Sequence, residues 1–183
     1  MTLTLVPLTR ALMHARLDAN AFTWPCVLPA GARDVRFGPE WPGDALVLYP
    51  GLVAAGAPVN DLTFVIVAVD AREAVGQIGT AGPPDGGEAE IGYGVNRSWR
   101  GRGIATAAVG LLLDALAAHP DVTTVTARTA VANPASGRVL EKNGFTPTGR
   151  AESAWDGELI VWTHQPDTHA RREGCEGERP AGS

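Results

Sequence analysis

Runs of apolar residues along the chain, some alternating with polar residues and some continuous, predict a set of β-strands. Residues 2–8 alternate, which predicts a strand at a sheet edge because Pro7 has no N–H for a ladder. The β-branched run at residues 62–69 predicts a buried strand, and Glu73–Thr80 is expected to pair with it across a turn at residues 70–72. Further strands are predicted at Glu88–Val95 and at residues 122–129, 145–152 and 158–164, the last two as a closing hairpin.

Helical spacing and capping residues predict the helices between these strands. Thr9 is expected to cap a helix that runs to about residue 17. Residues 41–55 have apolar positions at helical spacing, interrupted at Pro50-Gly51, and residues 104–118 have the same spacing up to Pro120. Asn133 resembles an N-cap before a last helix that Gly144 ends. Residues 22–40 contain Trp24, Pro25, Pro29 and Gly31 and are predicted to be irregular.

This order of elements predicts an α/β (α+β) fold with helices covering a single layer of sheet. A length of 183 residues predicts one domain, placed at residues 1–165. Residues 166–183 are polar, charged and rich in Gly and Pro, so they are predicted to form a disordered tail.

Composition narrows the classes of function. Hydrophobic residues make up 45% of the chain, enough for a substantial core, and the net charge of −5 disfavours a general nucleic-acid binder. The two cysteines and four histidines lack ligand spacing, so neither a metal site nor a disulfide is expected. Residues 1–8 lack the features of a secretory signal, and no apolar run approaches a membrane span. We therefore expect a cytoplasmic protein without a membrane partner.

Two glycines and two arginines stand between a predicted strand and a predicted helix, at Arg100, Gly101, Arg102 and Gly103. The first amides of a helix have no intrahelical acceptor and carry partial positive charge, so this arrangement favours phosphate binding over a plain tight turn. A P-loop would need Gly-Lys-Ser/Thr, and a dinucleotide fingerprint would place a third small residue at Thr106. Both of these alternatives fit poorly.

The pattern R-x-x-G-x-A from Arg100 to Ala105 resembles the acyl-CoA pyrophosphate loop of the GNAT superfamily of N-acetyltransferases. Residues 90–95 are similar to that family's fourth strand, and residues 133–145 to its last helix. The likeness is closest to the branch with the ribosomal-protein N-terminal acetyltransferases. It implies a mixed, mostly antiparallel sheet of about seven strands with about four helices, and acetyl-CoA as cosubstrate without a metal.

The resemblance also implies which residues contact acetyl-CoA. Backbone amides of residues 92–95, on a splayed and bulged strand, are expected to polarise the thioester oxygen; ordinary ladder bonding is the alternative. Asn133 is expected to contact the pantetheine arm or merely to cap its helix. The full predicted cofactor set is Tyr93, Gly94, Val95, Arg100, Gly101, Arg102, Gly103, Ile104, Ala105, Thr106 and Asn133.

Acyl transfer to an amine needs a proton acceptor, because an ammonium ion has no lone pair. Glu90 is the first candidate: in an alternating strand it shares a face with Gly92 and Gly94, which leaves room for a ligand. A surface carboxylate is the alternative reading. The family often has a tyrosine as general acid where this chain has Leu140, and Ser136, one turn earlier, is the nearest hydroxyl. A hydrogen bond at the helix start is the alternative role for Ser136.

These observations predict an N-acetyltransferase that transfers an acetyl group from acetyl-CoA to a primary amine, on either a protein N-terminus or a small molecule. An acyl-CoA-binding or regulatory domain without catalysis is the alternative, and Leu140 supports it. A nucleotide-binding α/β module is disfavoured. The expected oligomeric state is a monomer or a homodimer. Three tryptophans are candidates for the acceptor pocket, although core packing is the simpler role for each: Trp24, Trp41 and Trp155.

Overall fold

The computed structural model describes residues 1–56 and 59–166, so the predicted tail lies outside the described residues except for Pro166. Nine strands and four α-helices follow one another in the described part of the chain. In order they are β1 (Leu3–Pro7), α1 (Arg10–Asp18), β2 (Phe22–Leu28), β3 (Gly31–Phe37), a 3₁₀ segment (Gly43–Leu48), α2 (Tyr49–Ala54), β4 (Thr63–Ala68), β5 (Glu73–Thr80), β6 (Glu88–Val95), a 3₁₀ turn (Arg97–Trp99), α3 (Ile104–Ala117), β7 (Thr124–Ala130), α4 (Pro134–Lys142), β8 (Thr146–Ser153) and β9 (Gly157–His164).

The strands form one mixed sheet. Seven of them follow the order β1-β4-β5-β6-β7-β9-β8, and every neighbouring pair on this path is antiparallel except β6 with β7. The hairpin of β2 and β3 joins the sheet through a short parallel pairing of β3 with β5. The predicted fold class, a mostly antiparallel mixed sheet with about four helices, is confirmed.

Local signals placed several elements correctly. Strands β5 and β6 begin and end at the predicted residues, and β1 lies at the edge of the sheet. Thr9 caps α1, since its hydroxyl accepts from the N–H of Leu12 at 3.2 Å. Helix α4 begins after Asn133 as predicted and ends before Gly144, whose φ of +77° suits glycine.

Residues 22–40 are not irregular, which corrects the sequence-based prediction. They form the hairpin β2–β3, which turns at Gly31 with φ of +96°. Side chains at alternate positions of these strands face the core. The rings of Phe22 and Phe37 stack, with their centroids 5.0 Å apart. Packing against Trp41 therefore stabilises strands that Pro25, Pro29 and Gly31 had suggested to be irregular.

Residues 41–55 also differ from the simple helix that their spacing predicted. They form a 3₁₀ segment over Gly43–Leu48 and then the short helix α2, with Pro50 in its first turn. Proline is tolerated there because the first amides of a helix have no intrahelical acceptor.

The sheet separates two hydrophobic clusters. One joins α3 and α4 to the sheet through fully buried side chains that include Leu112, Leu116 and Leu140. The other lies under α1 and the α2 region and contains Phe37, Trp41 and Tyr49. The helices thus cover both faces of a single sheet and leave its middle, where β6 meets β7, as the place where a cavity can open.

Candidate active site

The middle of the sheet opens between β6 and β7. The parallel register of these strands ends at Ile91 opposite Ala127, whereas β6 stays paired with β5 as far as Val95. The segment from Gly92 to Val95 therefore has a sheet partner on one side and lines cavities on the other. The splay that the resemblance implied is present. The bulge is not, because neither register of β6 contains a shift.

Two cavities meet at this opening. The first, of about 560 Å³, extends along the start of α3 and is called the loop groove. The second, of about 770 Å³, extends over β5 and β6 past Glu90 and is called the sheet cleft. The residues that line both cavities are Asp44, Tyr93, Gly94, Val95, Arg100, Asn133 and Ser136.

The floor of the loop groove is the start of α3. Gly101 and Gly103 have φ of +77° and +76°, a conformation that side-chain-bearing residues rarely adopt. Gly103 is the N-cap and no side chain caps the helix. Most of the predicted loop residues line the groove, namely Arg100, Gly101, Gly103, Ile104, Ala105 and Thr106. An uncapped helix start that faces a groove suits an anion such as a pyrophosphate.

The two loop arginines have different positions. Arg100 lines both cavities, and its Nε donates to the carbonyl of Val95 at 3.0 Å. Arg102 lies outside both linings; its guanidinium stacks on the Trp99 ring at 4.7 Å and donates to the carbonyl of Ser98. The geometry thus gives Arg100 direct access to a ligand.

Helix α4 adds two cations that sequence reasoning missed. Arg138 and Lys142 both line the loop groove. They are four residues apart and so lie on one side of the helix. This spacing is visible in the sequence, but only the packing of α4 beside α3 shows that the side chains face the groove.

Glu90 lies in the wall of the sheet cleft, on the strand face that it shares with Gly92 and Gly94. No atom lies within 4 Å of the position that a Cβ would take at either glycine, so this face is open. The carboxylate of Glu90 is 3.2 Å from the guanidinium of Arg128, and both side chains are partly exposed. The predicted proton acceptor therefore faces the cleft and is held by one ion pair.

Three further carboxylates line the sheet cleft. Asp44 comes from the 3₁₀ segment, and Glu152 and Asp156 come from the β8–β9 hairpin. With Glu90 they outnumber the two lining arginines, Arg100 and Arg128. The cleft is therefore more negative than the groove beside it, and it complements a cationic ligand.

The hydroxyl groups at the junction of the cavities come from two elements. The Oη of Tyr93 on β6 lies 2.8 Å from the Oγ of Ser136 and 3.0 Å from its carbonyl oxygen, in the first turn of α4. Burial raises the pKa of the Tyr93 hydroxyl, and the hydrogen bond with Ser136 offsets part of that effect. Leu140 is fully buried in the core. These two hydroxyls, 43 positions apart, were not linked by sequence reasoning.

Asn133 and the tryptophans complete the predicted set. The side chain of Asn133 accepts from the N–H of Ser136 at 3.2 Å, so it caps α4, and it also lines both cavities. Trp41 is fully buried and donates to the carbonyl of Gly76. Trp24 and Trp155 are absent from the cleft lining, and Trp155 is 94% exposed at the hairpin tip.

Within residues 1–56 and 59–166, no group of three or more His, Cys, Asp or Glu side chains is arranged to hold a metal ion. In the same stretches, no helix is both long and apolar enough to cross a membrane.

An uncapped helix start beside a splayed strand of a mixed sheet is the arrangement that the sequence resemblance implied. Residues 8–146, more than half of the chain, match the family described as the Acetyltransferase (GNAT) domain. The chain therefore belongs to the GNAT acetyltransferase family, as the sequence motifs predicted.

Similar proteins agree with this assignment. The uncharacterized N-acetyltransferase YjdG of Bacillus subtilis (strain 168) is 37% identical over 84 residues, which are 45% of this chain and 50% of YjdG. The chain thus matches half the length of this relative.

Solved structures share the fold at low identity. A spermidine N-acetyltransferase SpeG chimera from Vibrio cholerae and hSSAT has a TM-score of 0.66 at 17% identity, over 94% of this chain and 100% of the chimera. RimL, a ribosomal L7/L12 alpha-N-protein acetyltransferase in complex with coenzyme A, has a TM-score of 0.62 at 17% identity, over 92% of this chain and 96% of RimL.

Proposed function

We propose that this protein is an acetyl-CoA-dependent N-acetyltransferase that acts on a primary amine, with the cofactor in the loop groove and the acceptor in the sheet cleft. The observation that carries the proposal is the junction of the two cavities at Tyr93, Gly94 and Ser136. A thioester that enters along the loop groove would meet an amine in the cleft at this junction, so the two reactants would be held in contact.

The charges of the loop groove support acetyl-CoA as the ligand. The uncapped start of α3 offers backbone N–H groups to the pyrophosphate, and Arg100, Arg138 and Lys142 add positive charge along the groove. RimL, which has the same fold, was solved with coenzyme A. We expect Arg138 and Lys142 to contribute to phosphate binding together with Arg100.

The proposed reaction is direct attack of the amine on the thioester. The Glu90 carboxylate takes a proton from the ammonium group, and the freed nitrogen lone pair forms a bond to the acetyl carbon while the carbonyl electrons move to the oxygen. The second nitrogen proton is lost to solvent as the intermediate collapses. The ammonium forms of such amines have pKa values of about 8 to 10.4, so most of the acceptor is protonated at neutral pH and a base is needed. Backbone N–H groups of residues 92–95 that point into the opening would stabilise the oxyanion. The C–S bond then breaks and coenzyme A leaves.

The sheet cleft supports an acceptor that arrives as a cation. Asp44, Glu152 and Asp156 surround the opening together with the Glu90–Arg128 pair. Carboxylates of this kind attract an ammonium group before it loses its proton. A protein N-terminus and a small-molecule amine both meet this requirement. A cytoplasmic location and a monomeric or homodimeric state remain sequence-based predictions.

The base is tested by Glu90→Gln with Glu88→Gln as a matched control. Glu88 lies two residues earlier on the same strand face, but it is outside the cleft lining and accepts from Thr126. Amine-dependent release of CoA should fall by about 10²- to 10⁴-fold in Glu90→Gln, the usual span for general base catalysis. Affinity for acetyl-CoA should stay unchanged, since Glu90 does not line the loop groove.

Glu88→Gln should keep near-normal turnover. Normal turnover in Glu90→Gln would refute the role of Glu90. Asp156, which also lines the cleft, would then be the next candidate base. Glu158 on the same hairpin is a weaker candidate base, because it is paired with Arg150 and lies outside the lining. Binding of acetyl-CoA without release of CoA for any amine would instead favour an acyl-CoA-binding domain without catalysis.

A further inference from the structure

A hydrogen-bond donor near the leaving sulfur would stabilise the thiolate, and position 140 does not supply one. Leu140 is fully buried within the cluster that joins α4 to the sheet. Leu140 lines neither cavity. The nearest hydroxyl on α4 is that of Ser136, which is half-buried and lines both cavities.

Ser136 is not alone at the junction, because Tyr93 reaches it from the neighbouring strand. The Tyr93 hydroxyl lies within hydrogen-bond distance of both Ser136 oxygens, at 2.8 Å from Oγ and 3.0 Å from the carbonyl. Tyrosine has only one hydroxyl proton. When Tyr93 donates to the carbonyl, the Ser136 hydroxyl can donate only back to Tyr93 within this pair. When Tyr93 donates to Oγ, the Ser136 proton is free to point into the cavities.

We propose that Tyr93 is a positioning residue that donates to Ser136 Oγ and so directs the Ser136 hydroxyl proton at the departing sulfur of coenzyme A. This inference rests on the proposed function. It gives the task of the missing group at position 140 to a strand tyrosine and a helix serine acting together.

The chemistry of this step balances without an added reactant. As the tetrahedral intermediate collapses, the carbonyl double bond re-forms, the C–S bond breaks and its electron pair stays on sulfur. The Ser136 O–H donates a hydrogen bond to the thiolate, which later takes its proton from solvent. No proton leaves Tyr93. Burial raises the pKa of that hydroxyl above its usual value of 10, so Tyr93 stays protonated and remains a donor at neutral pH.

The experiment measures the pKa of the thiol of bound coenzyme A and needs no knowledge of the acceptor. The ultraviolet absorbance of the thiolate is followed against pH in the complex, with desulfo-CoA, which has no thiol, as the blank for tyrosine ionisation. In the wild-type protein the hydrogen bond should lower the thiol pKa below that of free coenzyme A. Tyr93→Phe should lower the acid dissociation constant of the bound thiol about ten-fold, which raises the thiol pKa. This is the size expected for one hydrogen bond to a charged group.

Serine variants separate positioning from a general structural effect. Ser136→Ala should shift the thiol pKa as far as Tyr93→Phe or further, and the double variant should add nothing beyond Ser136→Ala. Ser136→Thr, which retains a hydroxyl, should keep most of the wild-type value. Tyr49→Phe is the matched control, because Tyr49 is the other tyrosine of the chain and lines neither cavity.

The outcomes distinguish this inference from the proposed function. Coenzyme A that binds with the same thiol pKa in wild type, Tyr93→Phe and Ser136→Ala would overturn the role of Tyr93 and leave the proposed function standing. Additive shifts in the double variant would also overturn it, since they would show that the two hydroxyls act independently. Failure of the wild-type protein to bind coenzyme A would overturn both.

Discussion

A negative charge at position 105 should remove coenzyme A binding without harming the fold. Ala105 is the second residue of α3, is half-buried and lines the loop groove. Two like charges about 5 Å apart repel by about 3 kcal/mol at an effective dielectric constant of about 20. Ala105→Asp should therefore weaken affinity for coenzyme A by about 10²-fold or more, because each factor of ten costs about 1.4 kcal/mol.

The same substitution should leave stability almost unchanged. An acidic residue in the first turn stabilises a helix by about 0.3–1 kcal/mol through the helix dipole, which offsets the lower helix propensity of Asp relative to Ala. A large loss of binding with almost unchanged stability makes this variant more informative than Gly103→Asp. Gly103 has φ of +76°, so any side chain there also strains the backbone.

Calorimetric titration with coenzyme A and thermal unfolding are the two assays. Ala107→Asp is the matched control, since Ala107 is exposed, lies two residues further along α3 and is outside the loop groove lining. It should lower affinity less than ten-fold, because its carboxylate points away from the groove. Affinity within about three-fold of wild type in Ala105→Asp would refute phosphate binding at this helix start.

Further predictions concern the loop, the core and the support of the loop. Arg100→Ala should weaken coenzyme A binding more than Arg102→Ala, because only Arg100 lines the groove. The loss should be larger at low salt, where charges are screened less. Titrations of both variants at two salt concentrations check this, and equal losses would contradict it. Leu140→Ala should destabilise the fold by about 2–5 kcal/mol in denaturant unfolding, whereas a loss under 1 kcal/mol would mean that Leu140 is not a core residue. The pKa of Glu40 is lowered by hydrogen bonds from the N–H and hydroxyl of Ser98, so its stabilisation is present above the unfolded pKa near 4.5 and is lost as the pH falls through the lower folded value. Glu40→Gln should therefore lower the Tm at pH 7 and have no effect in acid below that folded value; an effect independent of pH would contradict this.

Much of the fold followed from local signals. Three features depend on only a few adjacent residues and lie where they were expected: the glycine turn before α3, the Asn133 cap and the alternation of β6. The hairpin of β2 and β3 was missed for the opposite reason. Its exposed side carries charged residues and Pro25, and its stability depends on aromatic packing against Trp41 from later in the chain.

The candidate site divides in the same way. The Gly-rich loop and Glu90 were predicted because their chemistry depends on short-range spacing. The contact of Tyr93 with Ser136 and the approach of Arg138 and Lys142 to the groove depend on how α4 packs beside β6 and α3. Contacts between elements that are distant in sequence leave no local pattern, so they emerge only from the fold.

The central claim is acetyl transfer to a primary amine at the junction of the two cavities. It is tested most directly by incubating the protein with acetyl-CoA and a panel of primary amines, and by measuring CoA release together with the mass of the amine product. We expect CoA release that depends on a primary amine, is matched by acetylated product, and is absent when each amine is replaced by its tertiary-amine analogue. Tight binding of acetyl-CoA with no amine-dependent release for protein N-termini, polyamines or aminoglycosides would contradict it.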